Sequence, residues 1–228
     1  MKKRSVRPAG GAYSAPPHST LGSRHNIDRI TVSEVQVLTS TVRVVSSARD
    51  LGVVIDSRLT MADYIRHVCL SLSLLSTATD QTHSTVADAR RRLDYCNSLL
   101  YGMTDSLFQR LQSVQNAAAR LITRTGRREH IIPVLRELHW LPVRRRVDFK
   151  LATFMYKSLH GRIPRYLSGD CQLISDASRR LWSSDTFTFA VPRTRTRLGD
   201  RSFAVAGPQT WNSLPAHLRL VDNYARFS

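Results

Sequence analysis

Cysteine is scarce in this chain, and the three that occur in its 228 residues, Cys69, Cys96 and Cys171, lie far apart with no C-x-x-C pair. An odd, dispersed set builds neither a disulfide framework nor a zinc ribbon, and it fits a reducing, intracellular compartment. Acidic residues are also few: 17 Asp and Glu oppose 34 Lys and Arg. No apolar run reaches the roughly 18 residues of a membrane span, because Arg, Asp or Ser breaks each one, so no transmembrane helix is expected. The 10 glycines fall into neither a P-loop nor a dinucleotide-binding spacing, and no G-x-S-x-G elbow occurs. Neither a nucleotide cofactor nor a serine nucleophile is expected.

Arginine is what the chain has in excess. With lysine it brings the formal charge to +17 and the sequence pI to about 11.0, so acidic polymers or membrane surfaces are the natural partners. Guanidinium forks suit bidentate contact with phosphate and keep their charge at any physiological pH, which favours an RNA or DNA backbone over an acidic small molecule. The competing reading is a charge excess that only confers solubility. A hydrophobic content of 42% can fill one ordinary domain or two small ones.

Residues 1–27 read as a disordered basic leader, since Lys2, Lys3, Arg4, Arg7 and Arg24 are separated by Gly, Pro and Ser with little apolar surface to offset ordering entropy. Pro8, Pro16 and Pro17 oppose the amphipathic helix of a mitochondrial presequence. Over residues 28–60, period-two alternation at Ile30 and Val32, Val35 and Val37, Val42 and Val44, and Leu51, Val53 and Ile55 predicts a small β hairpin set, with Gly52 at a bulge or a close backbone approach. Residues 61–162 carry helical periodicity. Thr60 caps a first helix through Met61, Ile65, Val68 and Leu72, and an interruption from Ser76 to Thr85 precedes a second from Val86 to Leu100, stopped by Gly102. A long helix follows with Leu107, Leu111, Val114, Ala118 and Leu121 as its core stripe, then a short turn of helix from Pro133 to Leu138. Pro142 suits the first position of the next helix, whose stripe is Val143, Val147, Leu151, Phe154 and Leu159 and whose stop is Gly161. Residues 163–228 read as an irregular extension with short strands between Thr186 and Val205 and a tail returned to the body by Trp211. The expected fold is therefore mainly α, a helical bundle with a small N-terminal β hairpin and an irregular C-terminal part.

The arginines are clustered. Between residues 120 and 150, Arg120, Arg124, Arg127, Arg128, Arg136, Arg144, Arg145, Arg146 and Lys150 meet only Glu129, Glu137 and Asp148. Arg144, Arg145 and Arg146 fall in the first turn of a predicted helix, where the macrodipole disfavours cations by about 0.3–1 kcal/mol each. A phosphate there would find free helix amides and guanidinium groups together, whereas the alternative is a solvated basic face with Asp148 and Glu137 as partial partners. Arg193, Arg195 and Arg197 alternate with Thr, which in an extended stretch puts them on one face, either along a nucleic-acid backbone or on a surface loop. His67 with Cys69, His130 and His139 lack third and fourth ligands at finger-like spacing, so no metal is expected and His139 and Trp140 read as packing residues at a helix junction.

Four stretches recur in a recognisable order: Arg49-Asp50-Leu51-Gly52-Val53-Val54-Ile55-Asp56 on to Met61; Arg92-Leu93-Asp94-Tyr95-Cys96-Asn97 on to Gly102; Leu111-Gln112-Ser113-Val114-Gln115-Asn116 through Leu121 to His139-Trp140-Leu141-Pro142; and Val191-Pro192-Arg193-Thr194-Arg195 with Gly199-Asp200-Arg201-Ser202-Phe203 and Trp211-Asn212-Ser213-Leu214-Pro215. As a set they resemble the region downstream of the catalytic palm in LINE-type, non-LTR retrotransposon reverse transcriptases of the jockey-like and chicken-repeat groups. The resemblance covers most of residues 28–220. It implies a residual palm hairpin followed by a thumb-like region that grips template and primer through their backbones without reading sequence. The segment between Cys69 and Leu93 is about three helical turns shorter than in that family.

Polymerisation requires carboxylates around two metal ions about 4 Å apart. The family presents two of them as adjacent aspartates, and no Asp-Asp pair occurs here. Asp56 matches the hairpin after the catalytic one, so a structural role is expected of it. The expected function is nucleic-acid binding without catalysis. Two alternatives stay open, a non-functional transposon remnant and a host-adopted basic adaptor that binds a protein through Trp140 or Trp211. Purified protein is expected not to extend a primer on an RNA template with Mg²⁺ or Mn²⁺; template-dependent incorporation that disappears in Asp56→Asn would overturn this.

Overall fold

The computed structural model describes residues 32–75, 82–176 and 187–227. The leader at residues 1–27, Ile30, most of the interruption expected at residues 76–85 and the strand start expected at Thr186 lie outside them. The fold is mainly α. Period-two alternation resolves into two separate antiparallel hairpins: β1 (Glu34–Val37) pairs β2 (Ser40–Arg43) with Val35 opposite Val42, and β3 (Ser47–Asp50) pairs β4 (Val53–Asp56) with Ala48 opposite Ile55. Leu51 and Gly52 form a two-residue turn with φ of 45° and 84°, the left-handed pair such a hairpin requires. Gly52 is therefore a turn glycine, not a bulge, and the Tyr95 ring lies 3.6 Å from where its Cβ would be. Only β4 buries side chains, because it alone packs against the first helix, α1 (Ala62–Leu75).

The first helical stripe is as expected, with Met61, Ile65, Val68 and Leu72 buried and Tyr64 added. The second helix, α2 (Thr82–Asp94), ends earlier than Leu100. The chain turns at Cys96, whose φ is 50°, into a single 3-10 turn at Asn97–Leu100. In α3 (Asp105–Thr123) the fully buried positions are Phe108, Leu111, Gln115 and Ala119. The expected stripe is thus rotated: Leu107, Val114 and Ala118 are half-buried and Leu121 is 48% exposed. Neighbours set the direction of this face, since α3 packs on α1, α2, α4 (Ile131–Glu137) and α5 (Val143–Leu159).

Helix α5 runs through both clusters of the core. Val143, Val147 and Leu151 join the N-terminal one, and Met155 and Tyr156 join Cys171, Phe189 and Trp211 in the second. It stops as its sequence implies: Gly161, at φ +63°, donates to Ser158 O at 3.1 Å and Arg162 donates to Lys157 O at 2.8 Å, a Schellman closure. Beyond it the irregular C-terminal part carries short helices in place of the expected strands. After a short turn, α6 (Arg165–Ser168), come α7 (Arg197–Asp200), α8 (Phe203–Asn212), α9 (Ala216–Arg219) and α10 (Tyr224–Phe227), while among the described residues the expected strands reduce to one bridge between Leu173 and Phe189. Gly207 and Pro208 inside α8 are poor helix formers. Packing overrides them: a Cβ on Gly207 would lie 2.6 Å from Met155 Sδ, so glycine lets α8 press against α5. Trp211 is fully buried and donates from Nε1 to Phe187 O at 2.7 Å. The tail returns to the body as expected.

Arg146 organises the junction between α4 and α5. It is 6% exposed, donates from Nε to Leu141 O at 2.9 Å and from Nη1 to Asp94 Oδ1 at 2.7 Å, and lies over the Trp140 ring. From α3, Gln115 donates to the same Leu141 carbonyl at 2.8 Å, and Gln112 Oε1 accepts the Val143 amide at 2.9 Å. Removing the guanidinium takes away a 2.7 Å bond and leaves Asp94 with only its 3.7 Å contact to Arg90 at a half-buried site, so Arg146→Ala is expected to cost about 2–4 kcal/mol in urea unfolding. Arg145→Ala, one residue away on the surface, should change stability by about 0.5 kcal/mol or less; equal losses from both would show that burial of Arg146 gives it no special part in stability.

Candidate nucleic-acid interface

Asp56 accepts four hydrogen bonds: the amides of Arg58, Thr60 and Met61 at 3.1, 3.0 and 2.7 Å, and the Thr60 hydroxyl at 3.1 Å. Burial pushes its carboxyl up, but those bonds outweigh it and hold the group below the usual carboxylate range. Asp56 thus caps the entry to α1, with Thr60 contributing a second bond at 3.3 Å to Ala62. Close by, Arg201 donates to Leu59 O at 2.7 Å, Tyr101 O at 3.1 Å and Leu99 O at 3.3 Å, which clamps three segments together. Among the described residues no three His, Cys, Asp or Glu side chains converge as a metal ion would require. Trp140 is buried as expected, but His139 is exposed at φ 52° and does not pack. The adaptor reading loses its anchors, since Trp140 is 3% and Trp211 0% exposed.

The triplet that looked most anionic in its demands is supplied with carboxylates by the protein itself. Arg144 bonds Asp105 and lies 4.6 Å above the Phe108 ring, Arg145 lies 3.6 Å from Asp148, and Arg146 is buried on Asp94. Burial raises the Asp148 carboxyl even though Arg145 and Arg144 act to lower it, consistent with a loose pair. Arg146 therefore leaves the set of candidate phosphate contacts. Pro142 is the cap preceding α5, not its first residue. Arg144 shares a groove of about 680 Å³ with Arg197 and Arg201, but Asp148 and Asp200 line it as well. Arg193 and Arg195 are exposed, yet their stretch is a loop that caps α7: Thr194 bonds Asp200, and Thr196 Oγ1 accepts the Gly199 amide at 3.1 Å.

The arginines without a partner lie at the other end of α3. Arg124 closes that helix in the left-handed region at φ 55°, and Thr125 donates to Arg120 O at 3.0 Å. A tight turn follows, with Glu129 N donating to Gly126 O at 3.2 Å and Gly126 N to Glu129 Oε1 at 3.1 Å. Arg120 pins the turn by donating to Glu129 O at 3.2 Å. Arg127 and Arg128 occupy the two central positions and point outward, and with Arg124 they make no ion pair among the described residues. A signal for this was present in the sequence, because no acid occurs from Ser106 to Arg128 while Arg110, Arg120, Arg124, Arg127 and Arg128 do. The 19 residues of α3 separate this turn from Arg144 and Arg197 by roughly 28 Å.

No helix among the described residues is long and apolar enough to cross a membrane. No protein-family model, curated protein or solved structure matches the chain. The Asp56 cap can be tested by pH. A carboxyl held low in the folded state contributes stability that is complete above its unfolded pKa of about 3.9 and is lost as pH falls through the folded value. The stability difference between wild type and Asp56→Asn should therefore be largest near neutrality and shrink below about pH 4; a difference independent of pH in urea unfolding would show that the charge is irrelevant to the cap.

Proposed function

We propose that this chain binds the backbone of RNA or DNA without polymerising it, in the manner implied by its resemblance to the thumb and post-polymerase region of non-LTR reverse transcriptases. The observation that carries the reading is the turn after α3, where Arg124, Arg127 and Arg128 are held by a fixed hydrogen-bond pattern and are not claimed by any acid among the described residues. Ordered cations without partners release counterions when they meet phosphates, and that release makes binding strong at low salt and indifferent to sequence. Arg193, Arg195, Arg197 and the exposed part of Arg144 form a second basic region. At about 3.4 Å per nucleotide along one strand, the length of α3 corresponds to roughly 8 nucleotides, so both regions can act together only on a longer strand.

Replacing Arg124, Arg127 and Arg128 together by Gln is expected to weaken binding to unrelated sequences by a common factor. It should also lower the slope of log affinity against log salt by about 2–3. Fluorescence anisotropy over a salt series measures both. An unchanged slope in a variant with unchanged circular dichroism would show that these arginines do not meet phosphates.

A further inference from the structure

Helix α5 carries five basic side chains, Arg144, Arg145, Arg146, Lys150 and Lys157, and three aromatic ones, Phe149, Phe154 and Tyr156. Four of the five cations lie over rings: Arg144 over Phe108 at 4.6 Å, Arg146 over Trp140 at 5.7 Å, Lys150 over Phe154 at 5.6 Å and Lys157 over Tyr224 at 5.3 Å. Tyr156 stacks on His160 and Phe227. The remaining cation and the remaining ring are Arg145 and Phe149. They are one helical turn apart on the same face, the Arg145 side chain is 74% exposed, and Phe149 is 41% exposed with no ring contact among the described residues. Residues spaced i and i+4 place their Cβ atoms about 5–6 Å apart, so the two side chains could meet, yet they do not pair.

From this pairing pattern we infer that Phe149 and Arg145 form a seat for one unpaired nucleotide, the base stacking on the Phe149 ring and its phosphate meeting the Arg145 guanidinium. The inference rests on the nucleic-acid reading above and adds a preference for single strands. An exposed phenyl ring offers a flat apolar face that every base can use, but a base paired and stacked within a duplex cannot reach it. The adjacent cation supplies the charge complement of the phosphate, and its present partner, Asp148 at 3.6 Å, is beyond the 2.7–2.9 Å or so of a strong charge-assisted bond. With most of its side chain exposed, the Arg145 guanidinium keeps donors for a phosphate beside that loose contact.

The test measures the affinity of the full chain for labelled oligo(U) and for a blunt random-sequence duplex. Phe149→Ala is expected to weaken oligo(U) binding roughly 5- to 100-fold while leaving duplex binding within about twofold, and Phe149→Trp should restore it. Phe149→Leu, which keeps apolar contact with the body but loses the ring, should behave like Phe149→Ala with an unchanged circular dichroism spectrum. Wild-type oligo(U) affinity in Phe149→Leu overturns the seat, and so does an equal loss on oligo(U) and duplex. A loss confined to vesicles containing about one-third phosphatidylserine would assign the face to a membrane and overturn it too. If oligo(U) affinity survives in Phe149→Leu but falls in the Arg124, Arg127 and Arg128 variant, only the seat fails. If the arginine variant binds as wild type, the nucleic-acid reading itself fails.

Discussion

A guanidinium cannot shed its proton inside a protein, so burying one obliges its surroundings to answer its charge. Arg146 imposes that condition on the helical body. Its Nη1 donates to Asp94 at the end of α2, its Nε donates to Leu141 O at the entry to α5, and its Cζ lies 5.7 Å from the Trp140 ring centre at the exit of α4. Three helix ends must meet at one place for these contacts to coexist. Gln112 and Gln115 hold the same place from α3, one accepting the Val143 amide and the other donating to Leu141 O. The orientation of α5 and everything packed along it, α8 included, depends on that convergence.

The four stretches singled out in the sequence are tied to one another, or to the segments around them, by side chains that bond backbone. Tyr95 donates to Leu51 O, Tyr64 to Tyr95 O, and Arg201 to the carbonyls of Leu59, Leu99 and Tyr101. Asn212 both donates to and accepts from the backbone of Phe189, as a neighbouring strand would. Gly102 must be glycine for two reasons, its φ of +68° and the Arg201 Cγ that would lie 2.8 Å from a Cβ. These residues serve as scaffold, whereas Arg124, Arg127 and Arg128 make no ion pair among the described residues.

Charge excess becomes function only where acids leave it unclaimed. The local surplus between residues 120 and 150 is divided by the fold into guanidiniums that are spent internally and guanidiniums that are displayed. Arg144, Arg145 and Arg146 sit at a helix N-terminus, where a nearby carboxylate offsets the dipole as well as the side-chain charge. Arg124 lies at a helix C-terminus, where the dipole favours a cation and asks for no anion from the protein. Arg146 is thus spent inside the bundle, Arg144 and Arg145 are paired but partly exposed, and Arg124, Arg127 and Arg128 at the other end are displayed.

The sequence by itself determined what depends on neighbours within a few residues. Alternation gave away the hairpins, helical spacing the first helix and α5, Gly161 the end of α5, and the lack of an Asp-Asp pair the structural part played by Asp56. Tertiary structure decided what depends on distant partners. Arg144 meets Asp105 from 39 residues away and Arg146 meets Asp94 from 52, so no local window distinguishes them from free arginines. The burial direction of α3 was set by four surrounding helices, which rotated its core face away from the simplest apolar stripe. Helix α8 contains Gly207 and Pro208, whose local preferences oppose a helix, and it forms because Trp211 and the close approach to Met155 bury more than those preferences cost.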